Sequence, residues 1–306
     1  MLSSELPRVG IDLGGTKIEG VVLSLKDDGS HDVILRERVA TERDRGYDAI
    51  LDCTSTLINS LCYRAGAPMG ELPVGVGMPG NVTSTGLVKN SNTTCLNGRP
   101  FREDLVRALR RPIAFDNDAN CFALAESCFG AARPYREGIV FGVILGTGVG
   151  GGIVIQGRRW PGLHGIAGEW GHHAVWPERE TLCYCGERGC VELYASGPAI
   201  EKAYAMVSGT RAPLSEIATR TRHDSVARRC IEDLLDTLAR GLANVIDILD
   251  PTAIVLGGGV SNLDVLYTEL HQRVAKYVFN DELLTPILKH ELGDSAGVLG
   301  AALLGL

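Results

Sequence analysis

The stretch Val9-Gly10-Ile11-Asp12-Leu13-Gly14-Gly15-Thr16-Lys17 decides how this chain is read. An apolar run breaks into a Gly-Gly-Thr turn, and a second apolar run, Ile18 to Leu25, leaves it. The apolar period is 2 with turn residues between, which predicts a β-hairpin. It is not a P-loop, because a P-loop enters a helix through Gly-Lys-Ser/Thr and this chain leaves as a strand. A worn copy follows at Phe141-Gly142-Val143-Ile144-Leu145-Gly146-Thr147-Gly148, continued by Gly151 to Ile155. Two such hairpins predict two related α/β domains, each offering a phosphate-sized nest of backbone N–H groups. The expectation is a nucleotide held in an interdomain cleft.

Composition narrows the partners. The 306 residues exceed one ordinary core and fit two domains. A net charge of -7 argues against nucleic acid, whose phosphates need a basic face. The nine cysteines are an odd number, and Met1 to Pro7 has no apolar signal-peptide core. A reducing cytoplasm is therefore expected, with clustered thiols binding metal. The uncharged run from Gly138 to Gly157 is too rich in glycine for a membrane helix, so no membrane partner is expected.

Further strands are expected at Asp32 to Ala40, Pro73 to Met78 and Pro112 to Phe115, with helices at Tyr47 to Ala65 and Phe101 to Leu109. Asp116-Asn117-Asp118-Ala119-Asn120 then caps a helix over Cys121 to Ala131. The second half restarts at Ile139 and carries a polar, Cys-rich insertion from about Gly162 to Glu192. Helices at Pro198 to Val207, Pro213 to Thr221 and Ser225 to Leu249 precede a strand at Ala253 to Leu256 and a last helix near Gly297 to Leu304. This order builds mixed sheets covered by helices. The boundary falls near residue 118, giving a smaller domain over 1–118 and a larger one over 119–289. The final helix, about 290–306, crosses back to the first.

Three groups of residues carry chemistry. Gly14 and Gly15 let phosphate oxygens approach the backbone, Thr16 offers a hydroxyl, and Asp12 is a candidate for holding Mg²⁺ directly or through water. A plain turn with a capping Asp competes, but the second copy, at Gly146, Thr147, Gly148 and Gly150, favours phosphate. The turn Gly257-Gly258-Gly259 is placed to flank the base or ribose. Asp118 is a candidate for the base that takes a proton from an acceptor hydroxyl, with Asn117 orienting a neighbour; an N-cap cluster fits the same pattern. Cys183-Tyr184-Cys185-Gly186-Glu187-Arg188-Gly189-Cys190 sets three thiols on one loop, suited to tetrahedral Zn²⁺. His172 is the chosen fourth ligand, with His173 and His164 as rivals. Such a closed site is structural, and Glu169 and Glu192 bracket it as a clamp for a polyol.

Together these residues resemble the ROK family of sugar kinases. The match runs through Asp12–Lys17, Gly77–Gly80, Asn117–Asn120, Gly146–Gly152, Gly168–His172, Cys183–Glu192 and Gly257–Gly259. The resemblance implies a two-domain actin/hexokinase-like (ribonuclease H-like) fold that closes on ATP and a hexose, and suggests a homodimer. It implies Asp118 as general base on the 6-hydroxyl, with Gly80, Asn92, Asn117, Glu169, His172 and Glu192 around the sugar. His172, Cys183, Cys185 and Cys190 are implied as zinc ligands. Asp12 to Lys17 and the other two glycine turns are implied to hold Mg²⁺ and the nucleotide. Val88 to Phe101 looks most like the bacterial fructokinase/mannokinase branch, and Asp116 to Glu126 equally like N-acetylglucosamine kinases; glucokinase is a third option. The expectation is fructose or mannose. Some relatives are repressors with a helix-turn-helix ahead of the first hairpin; with eight residues before Val9, none is expected here. A catalytically inactive sugar sensor is the non-enzyme alternative.

Overall fold

The computed structural model describes residues 6–66 and 71–304. The first hairpin is β1 (Arg8–Leu13) and β2 (Lys17–Leu25), with Asp12 opposite Glu19. β3 (His31–Ala40) extends it antiparallel. After helix α1 (Tyr47–Arg64), β4 (Val74–Met78) lies parallel to β1. A two-strand ribbon, β5 (Asn81–Val82) and β6 (Val88–Lys89), and helix α2 (Phe101–Leu109) lead to β7 (Ala114–Asn117), parallel to β4. The sheet order is β3-β2-β1-β4-β7.

Helix α3 (Asp118–Phe129) opens the second half. β8 (Ile139–Leu145) and β9 (Val149–Ile155) form the second hairpin, flanked by β10 (Arg158–Arg159). The Cys-rich insertion is followed by α4 (Glu192–Ala195), α5 (Gly197–Ser208), α6 (Leu214–Arg220) and α7 (Ser225–Leu249). β11 (Ala253–Gly257), α8 (Val265–Val274), β12 (Ile287–Lys289) and α9 (Ala296–Leu303) complete the described chain. The order β10-β9-β8-β11-β12 repeats the first sheet's plan, a three-strand antiparallel half continued by two parallel strands.

β1 is buried on both faces because helices cover both. Leu57 and Leu61 of α1 press on Gly20 of β2, and α9 lies across the opposite face. Side chains at Gly10 and Gly75 would collide with the α9 backbone at Val298 and Ala301, so close approach requires glycine there. In the second half, Gly142 makes the same room for Ala123 of α3. The two helices meet where Gly300 of α9 touches Cys121 of α3, so they lie together between the sheets. At the far end of α3, the buried Glu126 carboxylate accepts from the N–H groups of Ala131 (2.9 Å), Glu291 (3.2 Å) and Leu292 (2.9 Å). No cation pairs with it among the described residues.

Element boundaries shift by a residue or more at several places, and most around Asp116–Asn120. β7 runs on to Asn117, and α3 begins at Asp118 rather than Cys121, because Asn117 is the N-cap, its Oδ1 accepting from Ala119 N–H (2.8 Å). α8 and β12 went unread. The apolar residues of α8 are interleaved with Glu269, His271 and Arg273, and β12 is three residues long. No described helix is long and apolar enough to cross a membrane.

Candidate active site and metal centre

Between the hairpin turns the surface sinks into three connected recesses. One, of about 970 Å³, is lined by Gly80, Asn92, Asn117, Asp118, Glu169, His172 and Glu192, together with Gly146, Thr147, Gly148 and Gly150. A second, of about 350 Å³, is walled by Asp12, Gly14, Gly15, Gly258 and Gly259 and shares Asn92, Asp118 and Ile144 with the first. A third, of about 1060 Å³, opens between Thr147, the start of α5 at Gly197 and Pro198, and Gly259 to Val265. Asp118 therefore stands where a polar recess meets a glycine-walled one.

Local bonding fixes Asp118 from behind. The strand pairing Met78–Asn117 sets Asn117 beside the Gly80 loop, and Asn117 Nδ2 donates to Gly80 O (3.1 Å). The Asp116 carboxylate accepts from Asn117 N–H (2.7 Å) and Asn120 Nδ2 (2.8 Å). It also pairs with Arg159 at 2.6 Å, joining the edge strands β7 and β10 of the two sheets. Burial pushes the Asp118 carboxyl up to about 6; a hydrogen bond from Ala119 N–H opposes this, and the charge of Glu169 adds to it. Burial, then repulsion from Asp118 and Glu19, pushes Asp12 up to about 7.

The Cys-rich loop is pinned beside this recess. Trp170 Nε1 donates to Gly150 O of β9 (3.0 Å), and Glu192 Oε2 accepts from Val149 N–H (2.9 Å). Gly186, at φ 98°, turns the loop back so that Cys183 N–H reaches Glu187 O (2.8 Å). The ligand atoms of His172, Cys183, Cys185 and Cys190 all lie within 4.8 Å of one another. Tetrahedral zinc bonds place neighbouring ligand atoms about 3.5–3.8 Å apart. Cys183 Sγ lies 3.6 Å from His172 Nδ1, and Cys185 Sγ 3.6 Å from Cys190 Sγ. Burial pushes the Cys183 and Cys190 thiols up, so the thiolates of such a set form against a cation. The donor set fits zinc.

Comparison with known proteins supplies the family. The ROK family model matches residues 8–306. The chain belongs to the ROK family. Among curated ROK relatives, an N-acetyl-D-glucosamine kinase of Pectobacterium carotovorum is 38% identical, covering 97% of this chain and 98% of its own. One from Escherichia coli O157:H7 is 37% identical over the same shares. Among solved structures, a ROK hexokinase from Thermus thermophilus superimposes with a TM-score of 0.86 at 31% identity, covering 98% of each chain. A ROK family glucokinase from Streptomyces griseus, in complex with glucose and AMPPNP, gives 0.75 at 28%, covering 98% of this chain and 99% of that one. These solved ROK structures give this chain the actin/hexokinase-like fold that its motifs implied.

Within this ROK chain, most of the anticipated site residues share the cleft, but Thr16, Lys17 and Gly257 line none of the three recesses. Thr16 O accepts from Thr41 N–H, Lys17 O accepts from Gly14 N–H, and Gly257 gives room to the Phe122 ring. His164 lies outside the Cys cluster, as does His173, whose main chain carries the loop. The second ring nitrogen of His172 is not free, because Nε2 lies 2.9 Å from the Tyr184 hydroxyl. With Nδ1 given to a metal, Nε2–H donates to Tyr184, which itself lines the polar recess. Tyr184 and Asn81, whose amide donates to Glu169 (2.7 Å), escaped the sequence reading. Tyr184 stood in the sequence only as a spacer inside the Cys motif, and Asn81 only as the residue after Gly77–Gly80.

Proposed function

We propose that this chain is an ATP-dependent hexose kinase acting on the sugar 6-hydroxyl. The observation that carries the reading is Asp118 at the junction of the polar and glycine-walled recesses, with its carboxyl raised by burial. The sugar lies against Gly80, Asn92, Asn117, Glu169, His172 and Glu192, and the phosphates against the Gly14–Gly15 and Gly258–Gly259 turns. Asp118 takes the hydroxyl proton as that oxygen attacks the γ-phosphorus and the bond to ADP breaks. Asp12, desolvated beside two other carboxylates, fits a hard cation, so it would hold Mg²⁺, which supplies charge neutralisation at the phosphates. Zinc would be held by His172, Cys183, Cys185 and Cys190 and would supply rigidity to the loop that leads into Glu192.

The acceptor we propose is N-acetylglucosamine in place of the fructose or mannose expected from Val88 to Phe101. Full-length relatives at 36–38% identity carry that name, and a recess of about 970 Å³ is roomy enough for an acetamido arm. Fructose or mannose is the second reading, favoured because Val88 to Asn92 form one wall of the same recess. Coupled ADP release across N-acetylglucosamine, fructose, mannose, glucose and N-acetylmannosamine decides between them. The highest kcat/KM is expected with N-acetylglucosamine. Sugar binding without sugar-dependent ADP release from any hexose would make the chain a sensor and overturn the enzyme reading. A homodimer in the cytoplasm, where these thiols stay reduced, completes the proposal; sedimentation at the mass of one chain would refute the dimer.

A further inference from the structure

The recess that receives the phosphates is lined by the carboxylates of Asp12, Asp118 and Asp294, and by no lysine or arginine among the described residues. A triphosphate adds more negative charge, so cations at the rim matter. The segment after β3 brings one there. Thr41, fully buried, donates its hydroxyl to Gly14 O (2.7 Å) and its N–H to Thr16 O (3.1 Å), clamping the segment to the first hairpin turn. Glu42 then takes the left-handed conformation, φ 54°, which is strained for a residue with a side chain. Such strain persists where the surroundings over-determine it, often at functional sites.

The turn at Glu42 sends Arg43 back over Gly15. A methyl on Gly15 would lie 3.7 Å from Arg43 Nη1 and 3.8 Å from Thr93 Oγ1. Gly15 lines the phosphate recess, and Asn92, next to Thr93, lines both that recess and the sugar's. Among the described residues the guanidinium's ion pair is a loose one, with the adjacent, almost fully exposed Asp44 at 3.8 Å. The Glu42 carboxylate is taken by Arg45, while Glu19 holds Arg36 and Arg38.

We propose that Arg43 is a further catalytic residue, whose guanidinium binds the γ-phosphoryl group over Gly15 and stabilises its charge during transfer. The inference rests on the kinase reading above. In the step, the γ-phosphorus leaves the β-bridging oxygen for the sugar 6-oxygen and the hydroxyl proton goes to Asp118. Arg43 keeps its own proton throughout and offers planar N–H donors to the phosphoryl oxygens.

Titration calorimetry with Mg²⁺ and either ADP or the β,γ-imido analogue of ATP tests this on wild type, Arg43→Met and Arg43→Lys. Arg43→Met is expected to lose about tenfold in affinity for the analogue and none for ADP, as deletion of a charge-assisted contact to the terminal phosphate demands. In turnover, its kcat should fall roughly 10²-fold with the sugar KM unchanged, and Arg43→Lys should recover part of it. Equal analogue affinity and equal kcat in wild type and Arg43→Met would overturn the proposal. So would a loss of affinity for ADP and analogue alike, which marks a structural role. If the analogue-specific loss appears while wild type phosphorylates no hexose, the contact stands and the kinase reading fails.

Discussion

Asp118 holds its proton more tightly than an exposed carboxylate because it is buried and faces Glu169. A general base works ionised, so raising its pKa moves the loss of activity to higher pH. The kcat/KM for sugar should therefore fall on the acid side of about pH 6, roughly tenfold per unit, where an ordinary carboxylate would still be active. Asp118→Asn should lower kcat by about 10²–10⁴-fold with ATP and sugar binding intact. Near-wild-type turnover in that variant sinks the assignment. Asp118 was legible because Asp116-Asn117-Asp118 ends a strand and starts a helix, a place that faces a cleft. What could not be read was the division of labour among the three. Asn117 caps the helix through the backbone N–H of Ala119, while Asp116 reaches across to Arg159, a partner that depends on what the second sheet brings near.

At the scale of one element, the clustering in the Cys-rich loop was legible, because three thiols so close in sequence on a glycine-turned loop meet, and the structure brings His172 to them. Freshly purified protein is expected to carry one zinc per chain by elemental analysis, and a metal-free preparation with full sugar affinity would contradict the site. Cys183→Ser should release the metal and loosen the loop that carries Glu192. The sugar KM should then rise about tenfold, the worth of one charge-assisted contact, while the ATP KM holds. An unchanged sugar KM in the zinc-free variant would separate the loop from the acceptor site. The bond between Tyr184 and the far nitrogen of His172 was not legible. Spacing suggests candidate ligands, but it does not say what fills the other side of an imidazole.

Over the whole molecule, the twin hairpins announced two sheets of one plan, because period-2 runs and glycine turns are local signals. The middle of the molecule was harder. α3 and α9 meet across glycines whose partners lie far away in sequence, so their approach leaves no periodic trace. We propose that the chain divides near residue 118, that 290–306 returns to the first half, and that the cleft closes on ligands. Small-angle scattering should show a radius of gyration of roughly 19 Å shrinking when sugar and the ATP analogue are added together. An unchanged profile at saturation would argue for a rigid cleft. The buried carboxylate of Glu126 has a consequence of a different kind. It sits in the same helix as Asp118, lines none of the three recesses, and holds residues 291 and 292, which lie between His290 and Gly293 of the glycine-walled recess. A genetic screen that sorts alleles by phenotype would file changes at Glu126 with the proposed nucleotide site, although the buried residue lines none of the recesses.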